Sequence, residues 1–402
     1  MKTSYFSKRK TGEHTPQSLK TQSRLALKLV PAATILIALA ISTPLSAQTI
    51  TTFDAPGAGA GPGQGTRSLS IDPSGRIIGF SVDANNVRHG FVRSQDGSFT
   101  IFDAPGAGTG AGQGTRAYSI NPSGTITGHF TDSVNTAHGY VRSNQGVITV
   151  FDAPGAGTGL GRGTFPTFSP LLVSPNGAIT GLYIDSAFVS HGFLRDRNGV
   201  ITTFDAPGAG TGAGQGTQSF AISPSGETTG FYFDGTNAVH GFLRDTKGVI
   251  TTYDVPGAGT GPGQGTYGGG FTPDGTIMGV LIDADNVNHG FLLDKNGAVT
   301  TFDAPDAGTG PGQGTDPWGI NTNGAIAGYY VDGTNVFHSF VRDKDGAIVE
   351  FDVPGAANMG AFASIAPNGA VVSFYLDANN VAHGFVREAN RRALGLLKPT
   401  QR

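Results

Sequence analysis

The chain has 402 residues, with 64 glycines, no cysteine and a formal net charge of −3. The lack of cysteine excludes disulfides, thiol catalysis and a lipid-modified N-terminal cysteine. Residues 1–47 contain seven Lys or Arg residues and one Glu, so the rest of the chain has a net charge near −9. This charge argues against a nucleic-acid partner, which would require a basic face.

The N-terminal segment predicts export. A polar, basic stretch precedes an apolar run, Leu29–Ile41, which ends in the small-residue segment Ser42–Ala47. This order is typical of a secretory signal peptide, and the run is shorter than the roughly 20 apolar residues that span a bilayer. We predict a signal peptide over residues 1–47, a periplasmic or extracellular location, and no stable membrane insertion after cleavage. An uncleaved N-terminal anchor is the alternative.

The remainder of the chain is an internal repeat. An F-D-[AV]-P motif, with Tyr in place of Phe once, occurs seven times, and an H-[GS]-[FY] motif also occurs seven times. These motifs mark seven units of about 49 residues. The third unit has an insertion around Phe165–Leu172, and the Gly-rich loop of the seventh is shortened to Gly355–Gly360.

Each unit contains four short runs of strand composition. In the first unit these runs are Arg67–Asp72, Arg76–Asp83, Val87–Arg93 and Ser98–Phe102. Turns rich in Gly, Asn, Asp and Pro separate them, and no window has a helical period. Four antiparallel strands in each unit, repeated seven times, predict an all-β fold, a seven-bladed β-propeller with four-stranded blades.

The two ends of the array predict ring closure. The first F-D-A-P, at Phe53, has no third strand before it, and the last third strand, Val381–Arg387, has no fourth strand after it. The N-terminal strand Ile50–Phe53 would therefore complete the last blade. We predict a propeller over residues 48–388 and a C-terminal tail over 389–402. An open array or solenoid is the alternative, although it would need capping units.

The repeat resembles the extracellular HAF-repeat family of bacterial proteins. The shared block is G-x-[YF]-x-D-x(5)-H-G-F-[VL]-R, as in Gly181–Asp185 followed by His191–Arg195, together with F-D-x-P-G-A. The resemblance covers Ile50–Glu388. It departs from the pattern in a few places, at Val280, Leu281, Leu293, Ser339 and Ser373. It implies a secreted, propeller-like protein and carries over no catalytic residue.

A histidine recurs in the third strand of every unit. These residues are His89, His138, His191, His240, His289, His338 and His383. Metal ligands must converge to roughly 2 Å from one ion, whereas equivalent positions on seven blades lie far apart. Asp83 precedes His89 by six residues across a tight turn, and every unit keeps this spacing. We therefore predict a structural histidine that hydrogen-bonds this Asp or the turn backbone, and no metal at the histidines.

Two aspartates recur in every unit, at the ends of the second and fourth strands. Both ends lie on the same face of a propeller, so the sequence predicts a ring of fourteen carboxylates there. The ring comprises Asp54, Asp83, Asp103, Asp132, Asp152, Asp185, Asp205, Asp234, Asp254, Asp283, Asp303, Asp332, Asp352 and Asp377. Such a ring could bind Ca²⁺ through its oxygen ligands or hydrogen-bond sugar hydroxyls. The favoured interpretation is that these aspartates cap their own turns, since each lies next to a Pro, Gly or Asn of a turn, and we expect no other cofactor.

The remaining motifs indicate no catalytic site. The Gly-rich loops lack the Lys and the following helix of a phosphate-binding loop. The residues that break the repeat are His129, Glu227, Trp318 and the insertion, and they form no readable nucleophile–base set. A lone His129 acting as a general base is less favoured than a packed side chain.

These patterns favour a secreted, non-catalytic binding module, since near-identical units suit multivalent binding. We expect a polysaccharide or a cell-envelope component as the ligand, no catalytic residues, and a monomer. The alternative is a propeller-fold carbohydrate-active enzyme, a lyase or glycoside hydrolase, with its site clustered around His129, Glu227 or Trp318.

Overall fold

The structure, a computed structural model, describes residues 49–389 except 167, 168 and 273. The predicted signal peptide and nearly all of the predicted tail lie outside the described residues. Within them the chain is all-β, with 29 strands joined in one mixed sheet and no helix. A membrane-crossing helix is accordingly absent from this part of the chain.

The strands follow the sequence repeat. Strand β1 is Ile50–Phe53. The first strands of the units are β2 (Gly65–Ile71), β6 (Gly114–Ile120), β10 (Gly163–Phe165), β14 (Gly216–Ile222), β18 (Gly265–Phe271), β22 (Gly314–Ile320) and, in two pieces, β26 (Asn358–Met359) and β27 (Ser364–Ile365). The second strands are β3 (Ile77–Val82), β7 (Ile126–Thr131), β11 (Ile179–Ile184), β15 (Thr228–Phe233), β19 (Ile277–Ile282), β23 (Ile326–Val331) and β28 (Val371–Leu376).

The third strands carry the repeated histidine. They are β4 (Arg88–Arg93), β8 (Ala137–Arg142), β12 (Ser190–Arg195), β16 (Val239–Arg244), β20 (Asn288–Leu293), β24 (Phe337–Arg342) and β29 (Ala382–Arg387). The fourth strands are β5 (Phe99–Phe102), β9 (Ile148–Phe151), β13 (Ile201–Phe204), β17 (Ile250–Tyr253), β21 (Val299–Phe302) and β25 (Ile348–Phe351).

Strands that are consecutive within a unit pair antiparallel, as predicted from the short turns between them. Neighbouring units meet where a third strand contacts the next first strand in parallel, as at Arg88 and Gly114. Strand β1 pairs antiparallel with β29, from Ile50 opposite Arg387 to Phe53 opposite Gly384. The two ends of the repeat array are therefore hydrogen-bonded to each other.

The core is built from one aromatic residue in each third strand. These fully buried residues are Phe91, Tyr140, Phe193, Phe242, Phe291, Phe340 and Phe385. The residue before each is glycine in six units, because the fourth-strand aromatic ring covers this position. A Cβ on Gly90 would lie 2.7 Å from Phe102, which is closer than carbon atoms can approach.

Arginine joins six of the seven units to the fourth strand before them, and the fifth unit has Leu293 at this position. The guanidinium of Arg142 lies 4.8 Å from the ring centroid of Phe102, the fourth-strand residue of the preceding unit. The same cation–π contact recurs at Arg93, Arg195, Arg244, Arg342 and Arg387. The ring that Arg93 contacts is Phe53 of β1, at 4.7 Å. Strand β1 thus occupies, relative to the first unit, the place of a preceding fourth strand.

The third unit departs from the predicted pattern of four full strands. Its first strand, β10, has three residues, and Leu171 and Leu172 lie in the inner region, where the first strands of several units converge. Leu172 is fully buried there, in a cluster with Leu69, Tyr118 and Phe374. Leu171 packs against Gly270 of β18, where an added Cβ would lie 2.8 Å from the Leu171 side chain. The insertion therefore fills the inner region of the fold.

Candidate functional site

Each repeated histidine bonds an aspartate at the end of a fourth strand. In the first unit, Nδ1 of His89 lies 2.9 Å from Asp103, the residue fourteen positions later. The corresponding distances in all seven pairs are 2.8–3.0 Å. The seventh pair joins His383 to Asp54, across the pairing of β29 with β1. Strand register explains this partner, because Gly90 lies opposite Phe102 and the next pair outward is His89 and Asp103.

The aspartate six residues before each histidine is the more distant partner. Asp83 uses Oδ1 to accept the N–H groups of Asn85 and Val87, which caps the turn after the second strand. Its Oδ2 lies 3.7 Å from Nε2 of His89, and this distance is 3.4–3.8 Å over the seven units. The aspartate that the six-residue spacing predicts as the partner is therefore the more distant of the two, because hydrogen bonds to the turn backbone orient its carboxylate.

All fourteen predicted aspartates thus flank seven histidines, at the end of the strands where the Gly-rich loops also lie. We call this the carboxylate face. The fourth-strand aspartates have side chains that are 48–60% exposed. The histidines and turn aspartates are less exposed, at 20–28%. Seven equivalent carboxylates therefore offer their outer edges to solvent.

The pKa shifts at this face follow from these contacts. The Val336 N–H holds the pKa of Asp332 down at about 2, with Thr334 and His338 adding to the effect against partial desolvation. Desolvation opposes protonation of His338. The hydrogen bond to Asp352 and the charges of Asp352 and Asp332 outweigh it, so that the pKa of His338 is raised. The charge on this face therefore becomes more negative as His338 loses its proton.

The Gly-rich loops are fixed by side chains of the same unit and are not slack. Gln113 accepts the Gly110 N–H at 2.8 Å and donates to Oδ1 of Asn135 at 3.1 Å. Thr115 accepts the buried N–H of Ala104, within the F-D-A-P motif. Equivalent bonds recur in most units. The loops therefore present a rigid rim around the carboxylates.

One unit replaces this Gln–Asn pair by a different pair. In the third unit Arg162 stands at the Gln position and Phe188 at the Asn position, with the guanidinium 4.1 Å from the ring centroid. Phe188 keeps the left-handed backbone of the asparagines, with φ of 65°. Both positions change together, which indicates that their side chains work as a pair in the first six units; the seventh, with its shortened loop, keeps Asn380 without a Gln.

The repeat-breaking residues do not come together. His129 is buried, with Nε2 2.6 Å from Arg116, and burial followed by the charges of Arg116 and Arg88 keeps its pKa well below the usual value. Glu227 accepts a hydrogen bond from Ser225 in a turn between first and second strands, away from the carboxylate face. Trp318 packs against other rings in the inner region. No combined acid–base site arises from these three.

The side chains of the carboxylate face are also the candidates for metal ligation. Among residues 49–389, apart from positions 167, 168 and 273, no group of three or more His, Asp or Glu side chains is arranged to hold a metal ion. The turn aspartates direct Oδ1 to backbone N–H groups, and the fourth-strand aspartates contact histidine. Calcium at this face stays a prediction.

Comparison with known proteins shows the fold. No family model matches the chain, and no curated protein matches it either. The streptogramin B lyase structure matches at 15% identity and a TM-score of 0.53, over 85% of this chain and 98% of that one. A catalytically inactive virginiamycin B lyase from Staphylococcus aureus, with quinupristin, matches at 13% identity and 0.54, over 85% and 100%. Both are propeller-fold proteins, so the chain has a β-propeller-like, repetitive all-β architecture, and identities this low show nothing further.

Proposed function

We propose that this protein is an exported, non-catalytic β-propeller that binds a polysaccharide or a cell-envelope glycan through its carboxylate face. The observation that carries the proposal is the sevenfold recurrence of a half-exposed Asp held by His in one geometry. Carboxylates accept strong hydrogen bonds from hydroxyl donors. Identical sites on one rigid face would engage a repeating polymer by avidity.

The proposed architecture has seven blades in a closed ring. Its support is the pairing of β1 with β29 and two contacts across the ends of the array. The contact of His383 with Asp54 repeats the His–Asp pair of all the other units, and the contact of Arg93 with Phe53 repeats that of five other units. Closure would hold the seven sites at fixed spacings, so that a rigid polymer could contact several at once. We further propose that the chain belongs to the HAF-repeat family, on the motifs that recur through residues 50–388.

Sugar binding fits the chemistry of the face better than a cationic ligand does. Each fourth-strand carboxylate already contacts a histidine Nδ1 at 2.8–3.0 Å, so part of its coordination space is occupied by the imidazole. The remaining acceptor capacity of these oxygens suits hydroxyl donors. The nearby glycine loops consist mainly of Gly, Ala, Thr and Pro, and the fourth-strand carboxylates beside them stay 48–60% exposed.

The enzyme alternative required His129, Glu227 or Trp318 to lie in one cluster with other catalytic groups. Their separate surroundings give this version no support. A direct assay still separates the two functions, because a lyase or hydrolase would release shorter chains from a polysaccharide that the protein binds. The same mixture, followed for new chain ends, would remain unchanged for a binding module.

A glycan array with and without EDTA tests the proposal. We expect signals on polymeric glycans, weak signals on their single sugars, and no cleavage of the bound polymer. Absence of any glycan signal would refute the sugar proposal. Signals that disappear with EDTA would show that bound Ca²⁺, rather than the carboxylates alone, makes the contacts, and signals unchanged by EDTA would refute the calcium prediction.

A further inference from the structure

A small cavity lies where the first strands of the fourth, fifth and sixth units approach one another. Its volume is about 280 Å³, just below the range of roughly 300–1,000 Å³ typical of drug-sized ligand sites. Its walls contain four aromatic rings, those of Phe220, Phe231, Tyr267 and Trp318, alongside glycine and aliphatic residues. Phe220, Tyr267 and Trp318 are partly exposed, so the cavity reaches solvent.

A missing side chain creates this cavity. Gly269 is the fifth residue of β18, and the fifth residues of β2, β6, β14 and β22 are large. The neighbouring rings surround the gap without filling it. The ring centroids of Phe231 and Tyr267 lie 4.7 Å apart, and those of Phe220 and Trp318 lie 5.7 Å apart.

A single carboxyl group faces these rings. Asp316 is the third residue of β22, where the first five units carry Arg, Phe, Gln or Tyr. Its Oδ2 accepts the Tyr329 hydroxyl at 2.8 Å. Among the described residues, no Lys, Arg or His forms an ion pair with it. An ionised carboxylate beside aromatic rings loses solvation free energy, unless it is protonated or given a counter-charge.

The acid–base state of Asp316 agrees with this geometry. Burial raises the pKa of Asp316 to about 7, although the hydrogen bond from Tyr329 opposes the rise. The other titratable groups that face it are Tyr329 and Tyr267, and burial raises both of their pKa values, to about 12 for Tyr267. Both tyrosines are neutral near pH 7, and within the described part of the chain no cationic side chain pairs with Asp316.

We propose that this cavity binds a small organic cation with a methylated ammonium group, held between the aromatic faces and the Asp316 carboxylate. Aromatic faces attract such cations through the ring quadrupole, by about 2 kcal/mol or more once the site is dry. The cation supplies the missing counter-charge, whereas a neutral ligand of the same shape would not. This site is independent of the glycan site, so either proposal can fail alone.

The single tryptophan of the chain makes the test direct, since Trp318 fluorescence reports on this cavity alone. The probes are choline and its neutral carbon isostere, in which a tert-butyl group replaces the trimethylammonium group. We expect saturable binding of choline at pH 8, at least about tenfold tighter than binding of the isostere. Equal affinities, or no saturable response to choline, would overturn the proposal.

Substitution of the carboxyl group identifies its role. Asp316→Asn should remove the preference for choline over the isostere. Asp285→Asn, a matched change at an exposed turn of the fifth unit, should leave it unchanged. A preference that survives in Asp316→Asn would show that this carboxylate is not the counter-charge.

The wild-type protein provides a second test, which stands even where Asp316→Asn does not fold. The cation favours the ionised carboxylate, so binding must release a proton wherever Asp316 is protonated beforehand. With the pKa near 7, choline affinity should fall by about 100-fold from pH 8 to pH 5. Calorimetry in two buffers of different ionisation enthalpy measures the released proton. A flat pH profile with no proton release would overturn the proposal.

Discussion

Leu172 tests whether the insertion of the third unit supports the whole fold. Its side chain is fully buried among Leu69, Tyr118 and Phe374, which belong to three other units. Its backbone is fixed as well, since the Leu172 N–H donates to Oγ of Ser119 and its carbonyl accepts the Thr180 N–H. The surroundings therefore have little freedom to collapse into a space left by truncation.

We expect Leu172→Ala to lower the free energy of unfolding by about 3–4 kcal/mol, the middle of the range for a fully buried leucine with a rigid surround. In a domain of about 340 residues, with an unfolding entropy of about 2.1 cal/mol/K per residue, such a loss corresponds to a fall in Tm of roughly 4–6 °C. Differential scanning calorimetry measures both quantities on the same sample. Circular dichroism at room temperature should show that the β fold is retained.

The same unit offers a matched control. Leu160 lies in the Gly-rich loop and is 77% exposed, so Leu160→Ala should change the free energy of unfolding by less than about 0.5 kcal/mol. Equal effects of the two substitutions would refute the reasoning. They would mean that the insertion does not fill the inner region, and that the convergence of the first strands does not depend on it.

Three further predictions concern the junctions and the carboxylate face. Gly65→Ala should destabilise the protein by about 2 kcal/mol or more in chemical denaturation, because φ is +101° and the added methyl group would meet backbone atoms of Ala382. His338 has a raised pKa, so its contribution is fully present below pH 6.5 and is lost as pH rises through the folded-state value. The Tm difference between wild type and His338→Gln should therefore be larger at pH 5.5 than at pH 8, and a difference that grows with pH would contradict this sign. In a double-mutant cycle, Arg162→Gln and Phe188→Asn should each lower the free energy of unfolding. The double variant, which restores the Gln–Asn pair, should lose at least about 0.5 kcal/mol less than the sum of the two single losses. Additive losses would show that the two side chains do not work as a pair.

Much of the fold can be read from the sequence, because the repeat gives the same information seven times. Turn residues after every run set the strand bounds, and the run Arg76–Asp83 contains the observed strand Ile77–Val82. The pairing of the terminal strands also follows from counting strands at the two ends. Only the third and seventh units deviate, where the first strand is shortened or divided.

The candidate site was less predictable, for two physical reasons. The aspartate that bonds each histidine lies fourteen residues later, and its identity depends on the register of the third and fourth strands. The lengths of the strand runs and of the turn between them contain the information that would have identified it. The Asp316 cavity depends on burial, which a sequence does not state. Its trace is the change from G-T-[RFQY] to Gly314-Thr315-Asp316, next to a unit with three successive glycines.

The most direct test of the proposed function changes the charge of the fourth-strand aspartates while keeping their shape. One variant replaces all seven, from Asp54 and Asp103 to Asp352, by Asn. Its control makes the same change at five turn aspartates on the opposite face, Asp96, Asp196, Asp245, Asp294 and Asp343. Binding of the strongest polymeric glycan from the array is then measured by calorimetry, with folding checked by circular dichroism. The account predicts that the first variant loses binding by more than about 100-fold, as expected when several weak sites fail together, and that the control binds as the wild type does. Undiminished binding by a folded seven-site variant would contradict it.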